Sequence, residues 1–284
     1  MSGTEPISGF VVAYNRASLL ETCLRSIRFA DELIVVDKSS TDASPAIAAR
    51  YADRVITVPW SPTVEATRLI ALEACRHPWV VFLDDDEMFS PDAIETLHAP
   101  RAEGIDAIAL PRRHYILGRF DPNAYYWPEH LVRCFRRGTV AFNGTVHGGV
   151  TVQTDRVERI AADSSAYIEH LSHEDTAQWI ERTNRYTNEK QRVRTDAGER
   201  ALIDFAHERI DHWVARSHRT NKDDYPAAVA LLRAIYDMVD RVKAWEAEQG
   251  SDGARAFRER CEELNRAYDD LQARLGIRTG PHPC

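Results

Sequence analysis

Trp79-Val80-Val81-Phe82-Leu83, followed at once by Asp84-Asp85-Asp86-Glu87, is the stretch on which the fold turns. Five apolar residues without a break read as a strand covered on both faces, since a half-exposed strand would alternate apolar with polar. The four carboxylates then stand at the strand's carboxyl end. Upstream, Ile7 to Ala13, Glu32 to Asp37 and Arg54 to Val58 repeat the β-branched, nearly continuous apolar pattern, while Ser18 to Phe29, Ser44 to Tyr51 and Thr63 to Cys75 carry helical periodicity. Strict alternation of strand and helix predicts an α/β fold, a Rossmann-like, doubly wound, mostly parallel sheet. Ligands of such sheets lie beyond the carboxyl ends of the strands, which selects the polar loops after Ala13, Asp37 and Leu83.

Downstream the pattern changes. Between Asp106 and Val152, strand-like runs at Ile108 to Leu110, Leu131 to Phe135 and Val150 to Val152 are broken by Gly and Pro, with an aromatic cluster at Tyr125, Tyr126 and Trp127. From about Glu174 the chain reads as helix. Leu231, Leu232, Ile235, Met238, Val239 and Val242 form one apolar stripe, and Phe257, Cys261, Leu264, Tyr268, Leu271 and Leu275 form a second with alternating spacings of four and three. Such stripes suit packing within a small helical subdomain or pairing with a second copy of the chain. The predicted division is residues 1–172 as the ligand-binding and catalytic domain and 173–284 as a C-terminal helical region.

The 284 residues, 44% hydrophobic, suffice for one large domain with an appendage or two modest ones. A net charge of −8, with both signs interspersed, argues against a nucleic-acid partner held by phosphate neutralisation. Five scattered cysteines with no Cys-x-x-Cys pair indicate neither a disulfide framework nor a structural zinc site, and a cytoplasmic, reducing compartment is the expectation. No run approaches the roughly 20 apolar residues of a bilayer span, although peripheral contact with the inner face of a membrane is compatible with that.

Four adjacent acids repel one another and need a cation or a hydrogen-bonding ligand to compensate. Mg²⁺ and Mn²⁺ bind through one or two carboxylates plus phosphate oxygens, so the run suits a nucleoside diphosphate; it equally suits the N-terminus of a helix opening at Ser90-Pro91-Asp92. Together, Val11 to Arg16, the Ala30 to Asp42 stretch ADELIVVDKSSTD and the Leu83 to Glu87 run resemble, in order and spacing, the inverting family-two glycosyltransferases of the GT-A fold. Through ADELIVVDKSSTD, the later WPEHLVRCFRR from Trp127 and the segment from His170-Leu171-Ser172-His173 to TNRYTNEK, the likeness is greatest to the lipopolysaccharide-core glucosyltransferase group. It covers roughly residues 7 to 190.

The resemblance implies roles. Asp37 would accept hydrogen bonds from the base, Asp84 would contact the ribose, and Asp86 would reach a Mg²⁺ or Mn²⁺ bridging two phosphates. Ala13, Tyr14 and Asn15 would lie along the nucleotide, and Arg68 near the donor phosphates. Asp85 belongs to the same nucleotide-sugar loop, but points the other way on an extended chain and is expected to matter least. Each has a plainer reading: Asp37 as a turn residue, Thr41-Asp42 as a helix cap, Arg68 as a solvated helix residue. Glu129 is the candidate catalytic base, lying where the family carries an acid, and His170 is the candidate late metal ligand. His170 and His173, spaced as an i, i+3 pair on a helix, raise zinc only weakly. At Val146-His147-Gly148 the chain departs from the family, which usually has Glu where Gly148 stands.

The function expected is metal-dependent, inverting transfer of a hexose from a nucleoside diphosphate sugar, with uridine as the base, to a hydroxyl acceptor that the sequence does not identify. A catalytically silent sugar-nucleotide sensor or scaffold is the alternative. Nucleotidyl transfer ranks lower, because Tyr14-Asn15-Arg16-Ala17 is not a Gly-rich phosphate loop.

Overall fold

A computed structural model describes residues 5–61, 64–99, 103–142, 150–191, 201–217, 223–250 and 252–275. The first half alternates as expected: β1 (Ile7–Ala13), α1 (Ala17–Ile27), β2 (Glu32–Asp37), α2 (Ser44–Tyr51), β3 (Arg54–Thr57), α3 (Glu65–Ala74) and β4 (Trp79–Asp84). Then come β5 (Glu87–Phe89), α4 (Pro91–His98), β6 (Ala107–Ile116), β7 (Glu129–Arg136), β8 (Val140–Phe142), β9 (Val150–Val152), β10 (Val157–Arg159) and β11 (Ile168–His173). Four helices close the described chain: α5 (Thr176–Gln191), α6 (Leu202–Ala215), α7 (Tyr225–Glu248) and α8 (Gly253–Leu275).

The main sheet runs β3-β2-β1-β4-β7-β6-β11-β5, with β10 beside β6. β1 lies parallel between β2 and β4, so Ala13, Asp37 and Asp84 finish at the same edge. Alternate residues of each strand face opposite sides. On one side Val11, Val35, Val81 and Leu83 meet Leu20, Leu24 and Ile27 of α1 and Leu97 of α4; on the other Phe10, Ile34, Val80 and Phe82 meet Ala71 of α3 and Phe142 of β8. Phe10 and Phe82 stack at 5.1 Å between ring centroids, and Phe142 meets Phe82 edge-on at 5.4 Å. Both faces being covered is why these strands lack polar alternation.

Three sequence expectations change. β6 is ten residues long rather than three, and its far end places Arg112 and His114 on Glu129 while Arg113 packs over Tyr167. The acidic run is not a helix N-terminus. Ser90 caps α4, accepting from the Ala93 N–H at 3.2 Å, while Glu87 to Phe89 form β5, antiparallel to β11. His170 and His173 lie on strand β11, across an irregularity at Leu171/His173, so no helical zinc pair exists.

The C-terminal helices attach through a third cluster, in which Trp179 of α5 and Tyr225, Val229 and Leu232 of α7 pack on Ile116, Ala124 and Tyr126. α8 buries none of its residues, and Phe257, Tyr268, Leu271 and Leu275 of its stripe are exposed. No described helix is long and apolar enough to cross a membrane.

Candidate active site

The carboxyl edge of β1, β2 and β4 forms one wall of the site. Beyond Ala13 the chain turns through Asn15, whose φ of 47° suits Asn better than most side chains, and two loops are laced together there. The Asn15 N–H donates to Ser40 Oγ at 2.9 Å, the Thr41 N–H to Asn15 Oδ1 at 2.7 Å, and Asp42 accepts from the N–H groups of Ala17 and Ser44. Asp37 is 2% exposed. One of its oxygens accepts from the Ser40 N–H at 3.1 Å; the other, Oδ1, is buried with no hydrogen-bond partner among the described residues. A buried carboxylate oxygen left alone costs free energy unless a ligand supplies a donor.

The acidic run divides four ways. Asp84 ends β4 with its carboxylate between Arg68, from α3, and Arg133, from β7 at 3.0 Å; against the upward push of burial these guanidiniums hold its pKa well below the carboxylate range. Arg68 is therefore buried beside Asp84, not solvated. Asp85 turns to the β1–α1 loop, accepting from the Tyr14 N–H at 2.9 Å and from Arg16 Nε at 3.4 Å, while burial and the neighbouring Asp86 raise its pKa to about 7. Glu87 is fully buried between Arg112 and Arg133, at 2.9 and 2.8 Å.

Asp86 faces the cleft. Its carboxylate has Arg16 Nη2 at 3.3 Å, Arg182 Nη1 at 3.6 Å and His170 Nε2 at 3.5 Å. Burial pushes its pKa up, but His170, Arg16 and Arg182 outweigh that and hold it low. Asp86 thus stays ionised. Among the described residues no three His, Cys, Asp or Glu side chains are placed to hold one ion, and those residues offer a cation here two ligands, the Asp86 carboxylate and the His170 imidazole. Ligands at right angles on a hard divalent ion stand about 3 Å apart, near the Asp86–His170 separation, and the remaining positions suit phosphate oxygens and water. The residues present fit Mg²⁺ or Mn²⁺.

The opposite wall comes from β6, β7 and β11. Glu129 opens β7 in register with Arg112, and its Oε2 accepts from Arg112 Nε at 2.8 Å and Nη2 at 2.6 Å and meets His114 Nε2 at 2.7 Å. Although burial opposes it, His114 and Arg112 bring the Glu129 pKa down to about 2. His114, buried beside Arg112, drops to about 4 and is neutral near pH 7. Burial, with Arg182 nearby, takes His173 to about 3, and its ring lies 4.4 Å from Trp179. A cavity of about 300 Å³ opens here, lined by His114, Tyr125, Tyr126, Glu129, His170, Trp179 and Arg233; Glu129 is its one carboxylate among the described residues.

The structure therefore joins Asp84, Asp85, Asp86, Arg68, Glu129 and His170 through one connected set of ion pairs and hydrogen bonds, with Ala13, Tyr14, Asn15 and Asp37 at the neighbouring strand ends. His147 and Gly148 lie outside the described residues. Sequence reasoning passed over Arg16, Arg112, His114, Arg133 and Arg182, the partners of those acids. The polar run Arg112-Arg113-His114, following the strand-like Ile108 to Leu110, was the available sign for two of them.

The family model for glycosyl transferase family 2 matches residues 8–156. LpsC, a lipopolysaccharide core biosynthesis glycosyltransferase of Rhizobium meliloti (strain 1021), is 28% identical over 159 residues, 51% of this chain and 57% of its own length. An uncharacterized glycosyltransferase of Rickettsia bellii (strain RML369-C) is 28% identical over 200 residues, 66% of this chain and 67% of its own. Among solved structures, glucosyl-3-phosphoglycerate synthase from Mycobacterium tuberculosis, in complex with Mn²⁺, uridine diphosphate and glucosyl-3-phosphoglycerate, is 27% identical over 39% of this chain and 44% of its own, with a TM-score of 0.33. The chain thus spans little more than half of LpsC and under half of the synthase. The matched segment carries β1 to β4, the acidic run, His114 and Glu129, and the chain belongs to glycosyl transferase family 2.

Proposed function

We propose that this protein transfers a hexosyl group, with inversion, from a uridine diphosphate sugar to a hydroxyl acceptor, using Mg²⁺ or Mn²⁺ held by Asp86 and His170. The observation that carries the reading is the arrangement along one sheet edge: the unpartnered Asp37 Oδ1, the Asp84 carboxylate and the Asp86–His170 pair, with Glu129 in the cavity that His170 also lines. Asp37 accepts from the base N–H, Asp84 from ribose hydroxyls, and Ala13 to Asn15 line the nucleotide. Arg16 and Arg182, now on Asp86, and Arg68, on Asp84, are the guanidiniums nearest the diphosphate. Asp85 acts through the loop it anchors.

Glu129 takes the acceptor proton as the acceptor oxygen bonds to the anomeric carbon; the bond from that carbon to the diphosphate breaks, and the electron pair leaves with the nucleotide. With its pKa near 2, Glu129 cannot deprotonate an alcohol beforehand, so proton transfer runs together with bond formation. A bound divalent cation supplies neutralisation of charge gathering on the leaving diphosphate. Among the described residues Cys23, Cys75 and Cys134 are buried and Cys261 is exposed, none of them in a disulfide, which fits a reducing compartment such as the cytoplasm.

The test is release of uridine diphosphate from a panel of sugar donors with Mn²⁺ or Mg²⁺, with and without candidate hydroxyl acceptors. Asp86→Ala is expected to lower kcat/KM by about a hundredfold or more. Undiminished turnover in that variant would remove the metal assignment. Donor binding without hydrolysis or transfer across the panel would instead identify a silent sugar-nucleotide binder.

A further inference from the structure

A continuous line of side chains crosses the site from Glu129 to Asp86. Glu129 Oε2 lies 2.7 Å from His114 Nε2, His114 Nδ1 lies 2.8 Å from His170 Nδ1, and His170 Nε2 lies 3.5 Å from Asp86 Oδ1. The two imidazoles are opposite one another in the parallel register of β6 and β11, with ring centroids 4.8 Å apart. Both are largely buried, so their nitrogens have few partners beyond each other and the two carboxylates.

Hydrogen counting then leaves little freedom. An ionised carboxylate only accepts, so the nitrogen of His114 that faces Glu129 carries the hydrogen. A cation on His170 Nε2 takes the lone pair of that nitrogen and leaves the ring's one hydrogen on Nδ1, which then needs an acceptor at His114 Nδ1. Only one hydrogen fits between the two Nδ1 atoms, so it then belongs to His170. Without the ion, His170 Nε2 faces the Asp86 carboxylate and favours a hydrogen there; with the ion bound, it presents its lone pair instead. A lone pair opposite a carboxylate is unfavourable by itself and favourable around a cation.

We propose that Glu129, acting through His114, fixes the tautomer of His170 so that its Nε2 lone pair is presented beside Asp86 to a divalent cation. His114 is a positioning residue that touches neither the donor nor the ion. Arg112 completes the device, gripping Glu129 Oε2 through Nε and Nη2 so that the carboxylate cannot swing away from His114. The inference rests on the reading of Asp86 and His170 as cation ligands. It also makes Glu129 a link between the two halves of the reaction, since the carboxylate proposed to receive the acceptor's proton also orients the metal ligand.

Calorimetric titration of Mn²⁺ into the protein saturated with uridine diphosphate tests both layers. His114→Phe keeps a planar ring and removes both nitrogens; Mn²⁺ affinity is expected to fall about tenfold to a hundredfold, with metal-free nucleotide affinity and melting temperature close to those of the parent. If His170→Ala loses Mn²⁺ while His114→Phe binds it like the parent, the tautomer device is overturned and the metal site stands. If His170→Ala also binds like the parent, the metal site itself is wrong. Should His114→Phe not fold, long-range ¹⁵N–¹H spectra of the parent's histidine rings with Mg²⁺ and nucleotide decide directly. The expected pattern is Nε2–H for His114 and Nδ1–H for His170, and a hydrogen on His170 Nε2 would overturn the proposal.

Discussion

Charge at this site is managed pair by pair. Asp84, Asp86 and Glu87 stay ionised because Arg16, Arg68, Arg112, Arg133, Arg182 and His170 surround them, whereas Asp85, with a weaker share of cations, is pushed the other way. Removing one partner from such a network leaves an uncompensated buried charge, which is the costly case. Asp37 is different, since its Oδ1 has nothing to lose. Asp37→Ala removes the acceptor of the Ser40 N–H and is expected to lower the melting temperature by a few degrees at most, while weakening uridine diphosphate binding by about tenfold or more, the worth of a hydrogen bond to a charged group. Parent-like nucleotide affinity in a folded Asp37→Ala protein would place the base elsewhere. The acids themselves were legible in the sequence because they are contiguous or end a strand. Their arginines were not, since each comes from a different element and an isolated arginine carries no local pattern.

At the scale of elements, the strands were legible and one polar lock beneath them was not. Glu32 starts β2 almost fully buried, accepting from the Ser8 hydroxyl at 2.8 Å and from the backbone N–H and Nε of Arg76 at 3.1 and 2.8 Å. It ties β1, β2 and the entry to β4 together at the end of the sheet away from the site. Burial raises its pKa, but the Ser8 hydroxyl and the Arg76 groups prevail and lower it. Because the folded state favours the ionised form, the stability from this group is present above the ordinary carboxylate pKa and is lost as pH falls through the lowered one. Glu32→Ala is expected to cost roughly 2 kcal/mol at neutral pH, and its deficit against the parent should shrink in acid melts below about pH 4. A deficit constant with pH would mean that packing, not charge, is what the residue supplies. β6 makes the complementary point: its apolar half was read as strand, and its polar half escaped because an apolar pattern marks only what faces a core.

The helices beyond β11 are part of the site at the scale of the whole molecule. Trp179 of α5 and Arg233 of α7 line the cavity beside Glu129, and Arg182 of α5 reaches Asp86, so residues on both sides of position 172 surround that cavity. Tyr225 fastens α7 to the main domain: its hydroxyl donates to the backbone carbonyl oxygens of Ile116, at 2.7 Å, and Arg119, and meets Tyr126 Oη at 3.3 Å. Tyr225→Phe removes that hydroxyl and leaves each carbonyl only its backbone donor, the Arg119 N–H on Ile116 and the Ile116 N–H on Arg119. The expected cost is about 1–2 kcal/mol, read as a melting-temperature fall of a few degrees. Acceptor KM should rise while uridine diphosphate affinity holds, because the attachment borders the cavity around Glu129, the proposed base, and not the strand ends proposed for the nucleotide. An unchanged acceptor KM in a destabilised variant would confine Tyr225 to stability.

Local pattern was enough for the alternating first half of the fold, for the edge at which ligands are met, and for the carboxylates at that edge, because strand burial and the turn to solvent are written in neighbouring residues. Tertiary structure decided which carboxylate faces the cleft, which arginine neutralises each, that two histidines 56 positions apart touch through their Nδ1 atoms, and that α5 closes on Asp86. Those contacts depend on register and orientation between elements far apart in the chain, and no local periodicity encodes them.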